Sequence, residues 1–279
     1  MLAALHRALP ETDLLYLGDT ARLPYGNKSA ETVLRYTERN VAFLARQGVA
    51  AVVVACNSAS ALALPRLRSP LPTWGVVEPG ARAAAKVARR RIGVVATTGT
   101  IASGAYERAL RALRGELEIT VAACPLLVPL VEEGWLDDEI TRAVARRYLE
   151  PLIAARIDTL VLGCTHYPLL RGAMQQVLDE ALGAGAVTLV DSAEEVAGEV
   201  ASTWRSGSAA VRPGPEPDAR PDPPKVPASA EAAAIAADEA TAGDDAHLRL
   251  CVTDRTPEME RLAARILGRP APLELVEIV

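Results

Sequence analysis

Short apolar runs alternate along this chain with longer stretches in which apolar residues recur at helical spacing. The runs at 14–17, 51–55, 74–77, 92–96, 119–123, 159–163, 187–190 and 248–253 predict strands. Between them, Leu2, Leu5 and Leu9 mark an amphipathic helix ahead of Pro10, and Ser29 caps a helix with Val33, Tyr36, Val41 and Leu44 on one face and Gly48 as its stop. Further helices are predicted after Cys56, over EPGARAAAKVARR, from near Tyr106, over 137–155, over 168–182 and over 257–267. Ser192 and Glu195 predict a capping box for another. GDTARLPYG, TTGTIASGAY and CPLLVPLVEEGW read as loops that follow strands, and the tail APLELVEIV as an edge strand. Strands that alternate with helices predict an α/β fold built on parallel sheets flanked by helices.

The pattern repeats itself. VVVACNSAS at 52–60 and LVLGCTHYP at 160–168 are both apolar runs that end in a small residue, a cysteine and then polar side chains. They set Cys56 beside Cys164, Asn57 beside Thr165 and Ser58 beside His166. Strands buried on both faces read as such runs, and ligands of open α/β sheets bind where those strands end. We therefore expect two pseudo-symmetric lobes with the site in the cleft between them. The first spans 1–90, completed by 192–205 and 247–279, and the second spans 91–191. Ile92 lies 72 residues before Cys164, and a like spacing before Cys56 falls about 16 residues upstream of Met1. The first half is thus expected to lack its opening strand and loop. Residues 206–246, rich in proline, alanine and acids and without an aromatic side chain, are expected to be a disordered insertion.

Composition narrows the function classes. A net charge of −5, with arginines interspersed among acids, offers no basic stripe for nucleic acid. No apolar run approaches the roughly 20 residues that span a bilayer, so a cytoplasmic protein is expected. Four scattered cysteines predict neither a disulfide framework nor paired zinc ligands, and three histidines supply little for a metal centre. No metal or cofactor is expected. The oligomeric state is not legible, and a homodimer is compatible with the sequence.

Two thiols that face each other across a small polar pocket can invert a stereocentre. One thiolate removes a proton from carbon and the opposite thiol returns one to the other face. Cys56 and Cys164 are the candidate pair, and His166 is the proton partner of Cys164. Asn57, Ser58, Thr97, Thr100 and Thr165 can hold a substrate carboxylate without adding charge that opposes a carbanion. Cys124 and Cys251 read as core filler, His6 and His247 as surface residues, and Trp135 and Trp204 as packing. Asp19 fits a role in holding its own turn, and Glu132 with Glu133 fits a solvated helix end as well as a site.

LGDTARLPYGNKS, VVVACNSASA, CPLLVPLVEEGW, LVLGCTHYPLL, VTD and GRPAPLE closely resemble glutamate racemase over nearly the whole chain except 206–246. The resemblance implies interconversion of L- and D-glutamate without pyridoxal phosphate, supplying D-glutamate for bacterial peptidoglycan. It implies that Cys56 serves the D enantiomer and Cys164 the L enantiomer. Substrate contacts would come from Tyr25, Gly26, Asn57, Ser58, Thr165 and His166, with Glu132, Thr97 and Thr100 near the site. Ser58 stands where the family usually has threonine. The family also opens with a strand and an Asp-Ser loop that supports the first cysteine, and no such stretch precedes Leu2. A start codon farther upstream is the favoured explanation. Two other readings are a racemase of aspartate or a related amino acid, and a binding protein without turnover, which a Cys56→Ser variant separates from an enzyme.

Overall fold

The computed structural model describes residues 1–206, 247–270 and 272–278. The disordered insertion expected at 206–246 lies, apart from Ser206, outside the described residues. The chain begins with α1 (Leu2–Ala8) and β1 (Leu14–Gly18). Helix α2 (Ala30–Arg46) starts where expected, because Ser29 Oγ accepts a hydrogen bond from the Thr32 amide. It buries Val33, Thr37 and Val41 along one stripe, and Gly48 follows its end in left-handed backbone, φ +78°. β2 (Val52–Val53) leads through Cys56 into α3 (Asn57–Leu62), and β3 (Thr73–Trp74) leads into α4 (Val77–Val87). The strand expected at 74–77 is therefore shorter and earlier, since Val76 and Val77 already form the cap and first turn of α4.

β4 (Arg91–Ala96) is followed by α5 (Thr98–Ala102) and α6 (Ala105–Leu113). α5 lies inside what reads as a loop, nucleated by Thr97, whose side chain accepts from the Thr100 amide. β5 (Glu118–Ala123) precedes α7 (Leu127–Glu132), a second short helix within an expected loop, and then α8 (Glu139–Ala154) and β6 (Thr159–Gly163). α9 (Arg171–Leu182), β7 (Thr188–Val190) and α10 (Ala193–Arg205) follow. The capping box at Ser192 does not form. Asp191 Oδ1 takes the Ala193 amide instead at 3.0 Å, and Glu195 is drawn to Lys86 at 2.6 Å. β8 (Leu248–Val252), α11 (Pro257–Leu267) and β9 (Glu274–Leu275) complete the chain, with Thr256 capping α11.

Among the described residues every strand pairing is parallel. One sheet has the order β5-β4-β6-β7, so β4 is hydrogen-bonded on both edges. β6 is buried along its whole length and β4 from Ile92 onward, as expected for strands covered on both faces. Ile92, Val94 and Val161 pack under α4 and α6, while Val95, Leu160 and Leu162 pack against α7, α8 and α9. The remaining strands form two separate sheets, β1-β8-β9 and β2-β3. Among the described residues no strand joins these two sheets as β4 joins β5 to β6. The apolar residues of β1 are accordingly only half-buried.

Candidate active site

Both candidate cysteines sit where a strand gives way to a helical turn. Cys164 directly follows β6, and Cys56 is the residue before α3. Burial, with a negative charge on Cys164 adding to it, pushes the Cys56 thiol up to about 11. The amides of Ala59 and Ser58, at the start of α3, oppose that shift. A charge on one sulfur that raises the proton affinity of the other places both in one electrostatic neighbourhood. All four cysteines are free, and Cys124 and Cys251 are buried as expected of core residues.

Cys164 has a proton partner. Its Sγ lies 3.8 Å from His166 Nδ1, which also meets Thr165 Oγ1 at 3.3 Å. On the other side of the ring, Nε2 is 3.5 Å from Glu132 Oε1. Burial of the imidazole disfavours its charge, but the hydrogen bonds and negative charges of Cys164 and Glu132 outweigh it and lift His166 to about 9. Cys164, His166 and Glu132 thus stand in a row, with the imidazole between sulfur and carboxylate. No carboxylate or histidine acts on Cys56 in the same way among its leading influences.

Three hydroxyls meet in a triangle. Ser58 lies 2.9 Å from Thr97 and 3.3 Å from Thr100, and Thr97 lies 3.0 Å from Thr100. All three are buried, so the α3 turn and the α5 turn are joined by polar groups shielded from bulk water. Asn57, 4% exposed, accepts a 2.6 Å hydrogen bond from the hydroxyl of Tyr106 on α6. Gly26 closes the group from a third side: a Cβ there would stand 2.4 Å from the Cβ of Thr97, so only glycine allows this approach. A cavity of about 150 Å³ is lined by Gly26, Thr97, Val128 and Glu132 among others. Neither this cavity nor a larger hollow of about 510 Å³ among Arg82, Glu195 and Glu199 has Cys56 or Cys164 in its lining.

Tyr25 is buried with its hydroxyl on Asp19, which also accepts from Thr253 Oγ1 at 3.1 Å and pairs with Arg22 at 3.6 Å. Asp19 therefore holds its own turn, as one reading of the sequence has it. The structure brings Asn57, Ser58, Thr97 and Thr100, beside Cys56, into one group and Cys164, Thr165, His166 and Glu132 into a second, and a charge on Cys164 acts on Cys56. Two readings need correction. Trp135 and Trp204, read as packing, are 46% and 36% exposed, so their packing is only partial. His6 is not a plain surface residue, since its Nδ1 is buried without a hydrogen-bond partner among the described residues. Tyr106 carried no signal as a site residue, because its partner Asn57 is 49 residues away in sequence.

Comparison with known proteins gives the same direction. The model of the Asp/Glu/Hydantoin racemase family matches residues 1–200. Glutamate racemase from Geobacter metallireducens is 51% identical over 210 residues, 74% of this chain and 76% of that protein. Glutamate racemase from Aquifex pyrophilus is 38% identical over 280 aligned residues, covering 99% of this chain and 92% of that one. Among solved structures, glutamate racemase isoform RacE1 from Bacillus anthracis aligns with a TM-score of 0.79 at 33% identity, covering 99% of this chain and 92% of the other. The glutamate racemase of Francisella tularensis in complex with D-glutamate aligns with the same TM-score at 26% identity and the same coverage. Its parallel sheets, its paired cysteine turns and a family model that spans 200 of its residues agree: the chain belongs to the Asp/Glu/Hydantoin racemase family.

Proposed function

We propose that this protein interconverts L- and D-glutamate by a two-thiol mechanism, in the cytoplasm, and so supplies D-glutamate for peptidoglycan. The observation that carries the reading is the placement of Cys56 and Cys164, each at a strand-to-helix turn, with a charge on Cys164 among the influences that raise the Cys56 pKa. The two turns belong to two lobes, 1–90 with 192–205 and 247–279, and 91–191. The bonds from Ser58 to Thr97 and Thr100, and from Tyr106 to Asn57, run from one lobe to the other. Near-full-length likeness to glutamate racemases supports glutamate as the substrate.

In the L-to-D direction, the Cys164 thiolate takes the α-proton, and the electron pair of that C–H bond is left on the carbon beside the carboxylate. The Cys56 thiol, protonated at neutral pH because burial holds it at about 11, gives its proton to the opposite face. Cys56 is then the thiolate, the form that acts on D-glutamate. His166 steadies the charge on Cys164, and Glu132 steadies His166. Asn57, Ser58, Thr97, Thr100 and Thr165, with the Tyr25–Gly26 turn, hold the substrate through neutral groups, so no fixed anion opposes the developing carbanion.

Single-cysteine variants in deuterated water test this. Cys56→Ala is expected to lose at least about 100-fold in racemisation while still exchanging the α-hydrogen of L-glutamate, because Cys164 and His166 remain. Cys164→Ala is expected to exchange only D-glutamate. Racemisation at the parent rate by either variant would exclude the mechanism.

A further inference from the structure

We propose that Tyr106 is a positioning residue that fixes the Asn57 side-chain amide so that its NH2 group, and not its carbonyl, faces the substrate. The inference rests on the racemase reading, in which Asn57 meets a carboxylate. Tyr106 and Asn57 are 3% and 4% exposed, and the phenol donates to Oδ1 at 2.6 Å. Among the described residues this is the side chain's one hydrogen bond. An amide turned by 180° would put two donors against a phenol whose own hydrogen then has no acceptor, a costly arrangement in a buried place. The flipped amide would also aim a carbonyl oxygen at an anion. With Oδ1 held, Nδ2 is committed as a donor.

The phenol has little freedom to leave this arrangement. A Cβ on Gly163 would stand 3.0 Å from its ring, and one on Gly80 3.1 Å from its hydroxyl. The ring is therefore lodged between α4 and the last residue of β6. Gly163 precedes Cys164, and Asn57 follows Cys56, so a single side chain touches both cysteine-bearing turns. Burial, with the charges of Cys164, Asp191 and Glu78, pushes the Tyr106 pKa upward, which keeps it a donor over the working pH range.

The test is a kinetic cycle of Tyr106→Phe, Asn57→Ala and the double variant, measured with both enantiomers alongside thermal melting. Phenylalanine keeps the ring and removes only the hydroxyl. We expect KM for L- and D-glutamate to rise roughly tenfold with kcat changed less than about threefold, since the lost contact acts on bound substrate and transition state alike. The double variant should be no worse than Asn57→Ala, because Tyr106 acts through Asn57. An unchanged KM in Tyr106→Phe, or additive losses in the double variant, overturns the proposal while the parent's racemase activity stands. A parent enzyme that does not racemise glutamate overturns the functional reading and this proposal together. If Tyr106→Phe folds poorly, Gly80→Ala crowds the same hydroxyl from α4 and should give the same KM signature; an unchanged KM there overturns the proposal equally.

Discussion

His166 is where the chemistry of single side chains is most tightly balanced. Burial alone would discharge the ring, yet Cys164 and Glu132 together hold its pKa near 9. Replacing Glu132 with glutamine removes one of the two charges and lowers that pKa. A raised pKa keeps the imidazolium present as pH rises, so the variant must lose it earlier. The alkaline limb of kcat/KM is expected to move toward neutral pH, with roughly a fivefold loss at pH 8.5 and a smaller one at pH 7, read from a pH–rate profile. The cysteines and their polar neighbours were legible from sequence because each follows a buried strand within a few residues. Glu132 was ambiguous there, since a glutamate near a chain turn fits a solvated surface equally well, and only the packing of α7 brings it to the ring. Tyr106 was invisible because its hydroxyl meets Asn57 only through the fold, 49 residues away along the chain.

Among elements, the joint between β4 and β6 depends on one aspartate. Asp158, just before β6, accepts the amides of Arg89, Arg90 and Arg91 at 3.0, 2.8 and 2.8 Å and the Thr159 hydroxyl at 2.8 Å. Burial opposes its charge, but these donors outweigh it and lower its pKa. A lowered folded-state pKa gives stability that is present above the unfolded value and lost as pH falls through the folded one. Asp158→Ala is therefore expected to cost about 1–2 kcal/mol at pH 7, the lower part of that range reflecting solvent access, and the difference should shrink as the carboxylate is protonated in acid. Denaturant melts at pH 7 and pH 3 measure it. Element type was readable wherever an apolar period ran for two turns or more. It failed at α5 and α7, each a single short helix of five or six residues, and at Ser192, where neighbouring charges claimed the partners of the expected capping box.

For the whole molecule, the alternation of strands and helices made the parallel α/β architecture legible, and the repeated cysteine turns pointed to a site between two similar parts. The spacing of the repeat also pointed to unequal halves, and their sheets differ. β4 joins β5 to β6, whereas β1 and β2 belong to separate sheets. In β1 the amides of Leu14, Tyr16 and Gly18 alternate with those of Leu15 and Leu17, which point away from β8. Leu15 and Leu17 should exchange their amide hydrogens at least about tenfold faster than Val94 and Val95 in the doubly bonded β4, as read by hydrogen-exchange NMR. Open strand edges are also adhesive. In warm or concentrated solution, clumping of this protein should begin along β1 and β2, and a lysine placed at an outward position of either should keep it dispersed.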